Sequence, residues 1–174
     1  EADVVVTNHA MLGIAAAGSP RVLPEHDVLI VDEAHDLADR VTAQATLELS
    51  AAVVDRTVRL ARKHAAVTVD ALDAASRAVG SYLEVAPAGR LRSVPAELVD
   101  AATLLEAGAR EAISQLKGED EAGGRVMARS AMVVLHEIAE RLLDDGVATR
   151  RDVLWCERGR TGMDAARLHL APLD

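Results

Sequence analysis

The sequence predicts an α+β fold in which a mostly helical bundle of about four helices is inserted between short strands. Three observations predict it. Residues 50–145 are rich in Ala, Leu and Val at helical spacing and almost free of strand signals. Residues 3–7 (Asp-Val-Val-Val-Thr) and 27–31 (Asp-Val-Leu-Ile-Val) are short β-branched runs, and two further short apolar runs close the chain on either side of a polar turn. Half of the 174 residues are apolar, yet aromatics amount to 1%, Tyr82 and Trp155 alone. The core must therefore be filled by Ala, Leu and Val, which favours closely packed helices.

Residues 3–7 read as a strand, and Asn8 opens a short helix closed by Gly18 and Pro20. Pro24 precedes the second run, and uniformly apolar short strands of this kind point to a parallel sheet buried on both faces. After Asp32 the pattern turns helical, with Leu37, Val41 and Ala45 four residues apart. Ser50 is placed to cap a helix running to about His64, and a second helix spans residues 69–85. Pro87, Gly89 and Pro95 mark a loop. Pro95 suits the first turn of a helix in which Leu98, Ala102, Leu105, Ala109, Ala112 and Leu116 recur at alternating fours and threes. A charged, glycine-containing break follows at residues 118–124. The next helix carries Met127, Ala131, Val134, Ile138 and Leu142 on one face and ends near Gly146. Two helices of roughly 20 residues, each about 30 Å long and joined by a short polar loop, are expected to lie antiparallel. Residues 152–157 and 166–170 flank Arg158-Gly159-Arg160-Thr161-Gly162 and read as a β-hairpin.

The formal net charge is −9, with no long run of Lys or Arg, so any contact with a polyanion is expected to be local. A single cysteine, Cys156, forms no internal disulfide and holds neither zinc nor an iron–sulfur cluster by itself, which fits a reducing, cytoplasmic setting. No secretory signal and no apolar run of membrane-spanning length is visible, so no membrane partner is expected.

The chemistry lies in Val28-Leu29-Ile30-Val31-Asp32-Glu33-Ala34-His35. A hydrophobic strand that delivers two carboxylates at its C-terminal end suits nucleotide hydrolysis, because Mg²⁺ needs hard oxygen ligands beside the phosphates and water needs an orienting base. Asp32 is the candidate for the metal, usually through water, and Glu33 for polarising the attacking water. His35 is placed to respond to the phosphate state and relay it. The plainer alternative makes Asp32, Glu33 and Asp36 acidic residues meeting the dipole at a helix N-terminus. Four apolar residues running directly into Asp-Glu-Ala-His favour the Walker B reading.

Ala2-Asp3-Val4-Val5-Val6-Thr7-Asn8-His9, followed some twenty residues on by Val-Leu-Ile-Val-Asp-Glu-Ala-His-Asp-Leu, resembles the DinG/XPD-like iron–sulfur helicases of superfamily 2. The closing Val153-Leu154-Trp155 and Ala171-Pro172-Leu173-Asp174 are similar to the stretch that leads into the Ser-Ala-Thr motif of DinG-type proteins. In that family the segment between Walker B and Ser-Ala-Thr is a helical insertion, the Arch domain. The resemblance implies that residues 1–49 belong to an incomplete RecA-like motor domain with Walker B, residues 50–146 to the Arch-like insertion, and residues 147–174 to a β-hairpin returning to the motor. It implies an ATP-dependent DNA helicase, 5′-to-3′ in the better-known members, acting on single-stranded and forked DNA with ATP, Mg²⁺ and a 4Fe-4S cluster. The Gly-Lys-Thr phosphate loop, the cluster-ligating cysteines expected before Ala2 and the second motor domain fall outside the chain, which reads as an internal segment. No G-x-x-x-x-G-K-[ST] pattern occurs, so the chain by itself is expected not to hydrolyse ATP.

Weaker signals remain. Arg56, Arg59 and Lys63 form a basic stripe at helical spacing that suits a phosphate backbone, against the plainer reading of a solvated helix face. Asn8 and His9 belong to the family-like element near the DNA path, although helix capping explains Asn8 equally well. Arg158 and Arg160 are a further pair for DNA, or simply an exposed turn. Trp155 and Cys156 are expected in the core. Two other functions compete: a non-catalytic helical interaction module, and a metal-dependent hydrolase using Asp32, Glu33 and His35, for which no further ligand set is apparent.

Overall fold

The computed structural model describes residues 3–16, 23–117, 123–159 and 165–173, which fall into two compact units, Glu1–Thr46 and Leu47–Asp174. The first unit holds helix α1 (His9–Ala16), a 3₁₀ turn (Ala34–Asp36) and helix α2 (Leu37–Ala45). Asn8 starts α1, its side-chain Oδ1 accepting from the Met11 amide at 3.0 Å. The two helices approach closely at Gly13, where a Cβ would lie 3.6 Å from the Val41 backbone.

Neither strand expected in this unit forms. Residues 3–7 and 27–31 have no ladder partner among the described residues, and apart from the half-buried Val31 their apolar side chains are exposed, Val6 at 92% and Ile30 at 89%. The expectation of a parallel sheet buried on both faces is therefore corrected. β-branched residues favour an extended backbone, but a strand also needs a neighbour to take its N–H and C=O groups.

The second unit runs β1 (Leu47–Leu49), α3 (Ala51–His64), α4 (Asp70–Val85), β2 (Gly89–Leu91), α5 (Ala96–Gln115), α6 (Gly123–Leu143), β3 (Asp152–Glu157), β4 (Arg167–Pro172). Four helices are thus present where about four were expected. Ser50 caps α3 by accepting from the Val53 amide at 3.3 Å, and Arg62, Lys63 and His64 meet the negative end of its dipole. All six positions of the expected apolar repeat are buried, five within α5 and Leu116 as its C-cap. Gly108 lets α5 approach α4, since a Cβ there would come within 2.8 Å of Leu72 Cγ.

The buried stripe of α6 shares only Ile138 and Leu142 with the expected one. Ala128, Met132, Leu135, Ile138, Ala139 and Leu142 face inward, whereas Met127 is 65% exposed and Val134 is exposed as well. Apolar residues stand side by side at 126–127, 131–132 and 133–135, so periodicity alone fits either face, and packing against α5 and α3 selects one.

The sheet has the order β1-β4-β3-β2 and is antiparallel throughout. Its central hairpin pairs Leu154 with Leu170 and Cys156 with Leu168, all four buried in the same core as the helices. The edge strands β1 and β2 are three residues each, too short to announce themselves in sequence. Asp152 at the start of β3 forms an ion pair with Arg141 of α6. Gly146 leaves room for that carboxylate, which a Cβ would strike. No helix among the described residues is long and apolar enough to cross a membrane.

Candidate functional site

The Asp-Glu-Ala-His residues occupy a turn that leads into the 3₁₀ segment and then α2. One carboxylate oxygen of Asp32 accepts from the Glu33 amide at 2.9 Å. Glu33 is left-handed, with φ 49° and ψ 44°, a conformation that costs a non-glycine residue roughly 1–2 kcal/mol. Strain of this kind concentrates at functional sites, where surrounding contacts over-determine it. His35 lies between two carboxylates, with Nδ1 3.3 Å from Glu33 Oε2 and Nε2 3.4 Å from Asp36 Oδ1. These side chains are exposed, so the pairing is weak and screened by water and salt.

His9 joins the turn from α1, its Nε2 2.8 Å from the Asp32 carbonyl oxygen, where it donates in the tautomer that carries a proton on Nε2. Thus the first unit brings His9, Asp32, Glu33 and His35 together, and Asn8 stands one step behind as the cap of the helix that presents His9. Arg56, Arg59 and Lys63 lie exposed along α3 in the second unit.

Among the described residues no group of three His, Cys, Asp or Glu side chains could hold a metal ion. Asp32 alone fits a different arrangement. A hydrated Mg²⁺ keeps several waters and takes one or two protein carboxylates plus substrate phosphates. One exposed carboxylate with an oxygen left over satisfies that requirement, whereas a metal-dependent hydrolase built on Asp32, Glu33 and His35 lacks a ligand cage. An iron–sulfur cluster does not fit, because Cys156 is the single cysteine and is 2% exposed in the core of the second unit. Burial also pushes its thiol pKa up, opposed by the nearby Arg158 cation, so it is not the exposed thiolate a metal or oxidant would meet.

Two sequence readings change at the hairpin. Arg158 is no free turn cation, because its guanidinium donates to the Ala86 carbonyl at 2.7 Å and the Glu84 carbonyl at 3.1 Å, closing the C-terminal end of α4. Arg160 lies outside the described residues. Trp155 is half-buried on the face of the sheet opposite the core, where it stacks on His169 with ring centroids 5.1 Å apart. Strand alternation holds the signal: Leu154 and Cys156 cannot both face the core if Trp155 does.

No protein-family model matches the chain. Over 98 residues, 56% of its length, it is 45% identical to proteins named ATP-dependent helicase DinG from Mycobacterium tuberculosis strain H37Rv and from Mycobacterium bovis. The matched stretch spans 15% of the length of those relatives. The chain is DinG-like over more than half of its residues.

Proposed function

We propose that this DinG-like chain is the part of an ATP-dependent DNA helicase that carries the Walker B carboxylates and an Arch-type helical insertion. The whole machine, in this reading, is cytoplasmic and couples ATP hydrolysis to 5′-to-3′ movement along single-stranded DNA and to opening of forked duplexes. One observation carries the reading: the strained Asp32-Glu33 turn, backed by His9, in a chain 45% identical over 98 residues to curated DinG helicases.

Asp32 is the residue that would hold Mg²⁺ through water, and the bound ion would neutralise charge on the nucleotide phosphates. Glu33 orients the attacking water and draws on its proton. His35, flanked by Glu33 and Asp36, feels any change of charge at Glu33. His9 ties the Asp32 backbone to α1, with Asn8 holding the start of that helix. Arg56, Arg59 and Lys63 supply non-specific phosphate contacts from α3.

The purified chain is expected not to hydrolyse ATP. In the full-length helicase, Glu33→Gln is expected to lower DNA-stimulated hydrolysis by about 10²-fold or more while nucleotide binding persists. Steady hydrolysis by the chain itself, lost in Glu33→Gln, overturns the fragment reading. Unchanged hydrolysis in the full-length variant overturns the Walker B assignment.

A second reading, a non-catalytic interaction module, draws on α6, which leaves Val126, Met127, Val133 and Val134 exposed at seven-residue spacing. That reading gains if full-length protein keeps its ATPase activity after Glu33→Gln.

A further inference from the structure

The Asp32–Glu33 peptide is held at both ends. His9 Nε2 donates to the Asp32 carbonyl oxygen at 2.8 Å, and the Glu33 amide, at the other end of the same planar unit, donates to a carboxylate oxygen of Asp32 at 2.9 Å. Because the peptide is planar, turning it rotates Glu33 about its N–Cα bond, so the hold on the carbonyl is also a hold on the φ of Glu33. That φ is 49°, and among the described non-glycine residues only Arg150 is also positive. A glutamate left to itself prefers the right-handed region, so its left-handed backbone persists only while its surroundings impose it. The Asp32 carboxylate is a neighbour that turns with the chain. His9 stands 23 residues earlier and is the restraint that comes from outside the turn.

Helix α1 reaches the turn from both sides. His9, its first residue, meets Asp32 just before Glu33. Gly13, about one helical turn further on, packs against Val41 of α2, the helix that begins at Leu37 just after the turn. A Cβ at Gly13 would stand 3.6 Å from the Val41 Cα and Cγ2, so a larger side chain there would part the two helices. Movement of α1 against α2 is therefore delivered to the segment between their contacts, where the strained residue is Glu33. The link from His35 Nδ1 to Glu33 Oε2, 3.3 Å and exposed, is too weak to set the backbone and follows it.

We infer that α1 controls the backbone state of Glu33 and that His9 is a positioning residue for the hydrolytic step, acting through the Asp32–Glu33 peptide. With His9 bonded, Glu33 is left-handed and its carboxylate stands where it orients water. With the bond released, the peptide turns, Glu33 relaxes to the right-handed region and the carboxylate leaves that position. The inference rests on the Walker B reading of Asp32 and Glu33 and adds a control on their use. Nucleotide binds in either state, because the Glu33 amide takes only one oxygen of Asp32. Hydrolysis needs the bonded state.

The test compares full-length helicase carrying His9→Phe, His9→Gln or Gly13→Leu, measuring hydrolysis across ATP concentrations and affinity for a fluorescent ATP analogue with Mg²⁺. Phe keeps a flat ring without a donor, whereas Gln returns an N–H near the place of Nε2. The right-handed preference corresponds to about 5- to 30-fold in population, and His9→Phe is expected to lower kcat by that factor. The KM for ATP and the analogue affinity are expected to stay unchanged, and His9→Gln to recover most of the rate. Gly13→Leu, which parts α1 from α2 without touching the turn, is expected to lower kcat alike and to add little to His9→Phe, since both release one restraint. An unaltered kcat in His9→Phe, a fall in nucleotide affinity in step with kcat, or no recovery in His9→Gln overturns the inference. Any of these alongside loss of hydrolysis in Glu33→Gln removes the control by α1 and leaves the Walker B reading in place. Unchanged hydrolysis in Glu33→Gln removes both.

Discussion

Gly108→Ala is a one-methyl test of how the bundle is packed. A Cβ at this position would come 2.8 Å from Leu72 Cγ and 3.1 Å from the Leu72 backbone nitrogen. Leu72 is 0% exposed, so neither atom can retreat without α4 moving. Two effects oppose each other: Ala gains about 1 kcal/mol over Gly in a helix interior, and overpacking a filled core costs about 1–3 kcal/mol. Because one of the struck atoms is backbone, the cost falls in the upper half of that range, leaving a net loss of about 1–2 kcal/mol. Gly80→Ala on α4 is the internal control. Its Cβ would meet only the Ala51 Cβ, at an ordinary 3.5 Å, so it keeps the helix gain of about 1 kcal/mol. Urea unfolding followed by Trp155 emission reports the second unit alone. The Gly108→Ala midpoint is expected below that of the wild-type chain and the Gly80→Ala midpoint above it, with slopes unchanged. A Gly108→Ala midpoint at or above wild type refutes the close α4–α5 approach.

Two further predictions follow from caps and burial. Ser50→Ala removes the acceptor for the Val53 amide and is expected to cost about 1 kcal/mol, read as a lower urea midpoint, while Ser50→Asn retains most of the stability. Burial holds both the Tyr82 phenol and the Cys156 thiol above their ordinary values, so each keeps its proton in the folded chain where the unfolded chain loses it. Their contribution is fully present below the ordinary thiol range and is lost as pH rises through the folded values. The urea midpoint should therefore fall between about pH 8 and 10.5, less steeply in Cys156→Ala, and a flat profile refutes the assignment.

Where a sequence signal reports on a local event, it was legible. Ser50 caps α3 because its hydroxyl reaches an amide three residues on, and the α5 repeat buries all six expected residues although Val99, Leu104 and Ile113 stand beside three of them, because the repeat keeps helical spacing along its whole length. The β3–β4 hairpin was readable from two apolar runs and a polar turn. The Asp-Glu-Ala-His motif pointed to Asp32, Glu33 and His35 through side-chain chemistry and to helicases through resemblance. The left-handed backbone at Glu33 and the reach of His9 to Asp32 carry no such signature, since each depends on how the chain turns between α1 and α2.

The sequence by itself determined the helical middle, the cap of α3 and which carboxylates are the candidates for nucleotide chemistry, because propensity, spacing and side-chain chemistry act over a few residues. Tertiary structure alone decided which α6 stripe is buried, that three-residue β1 and β2 flank the hairpin, and that Trp155 stands beside Arg90 and His169 away from the core. It also decided that residues 3–7 and 27–31 form no strand among the described residues. A strand, a buried face or a cross-strand row is a relation between segments far apart in sequence. Its free energy comes from backbone pairing and excluded water that neither segment supplies alone.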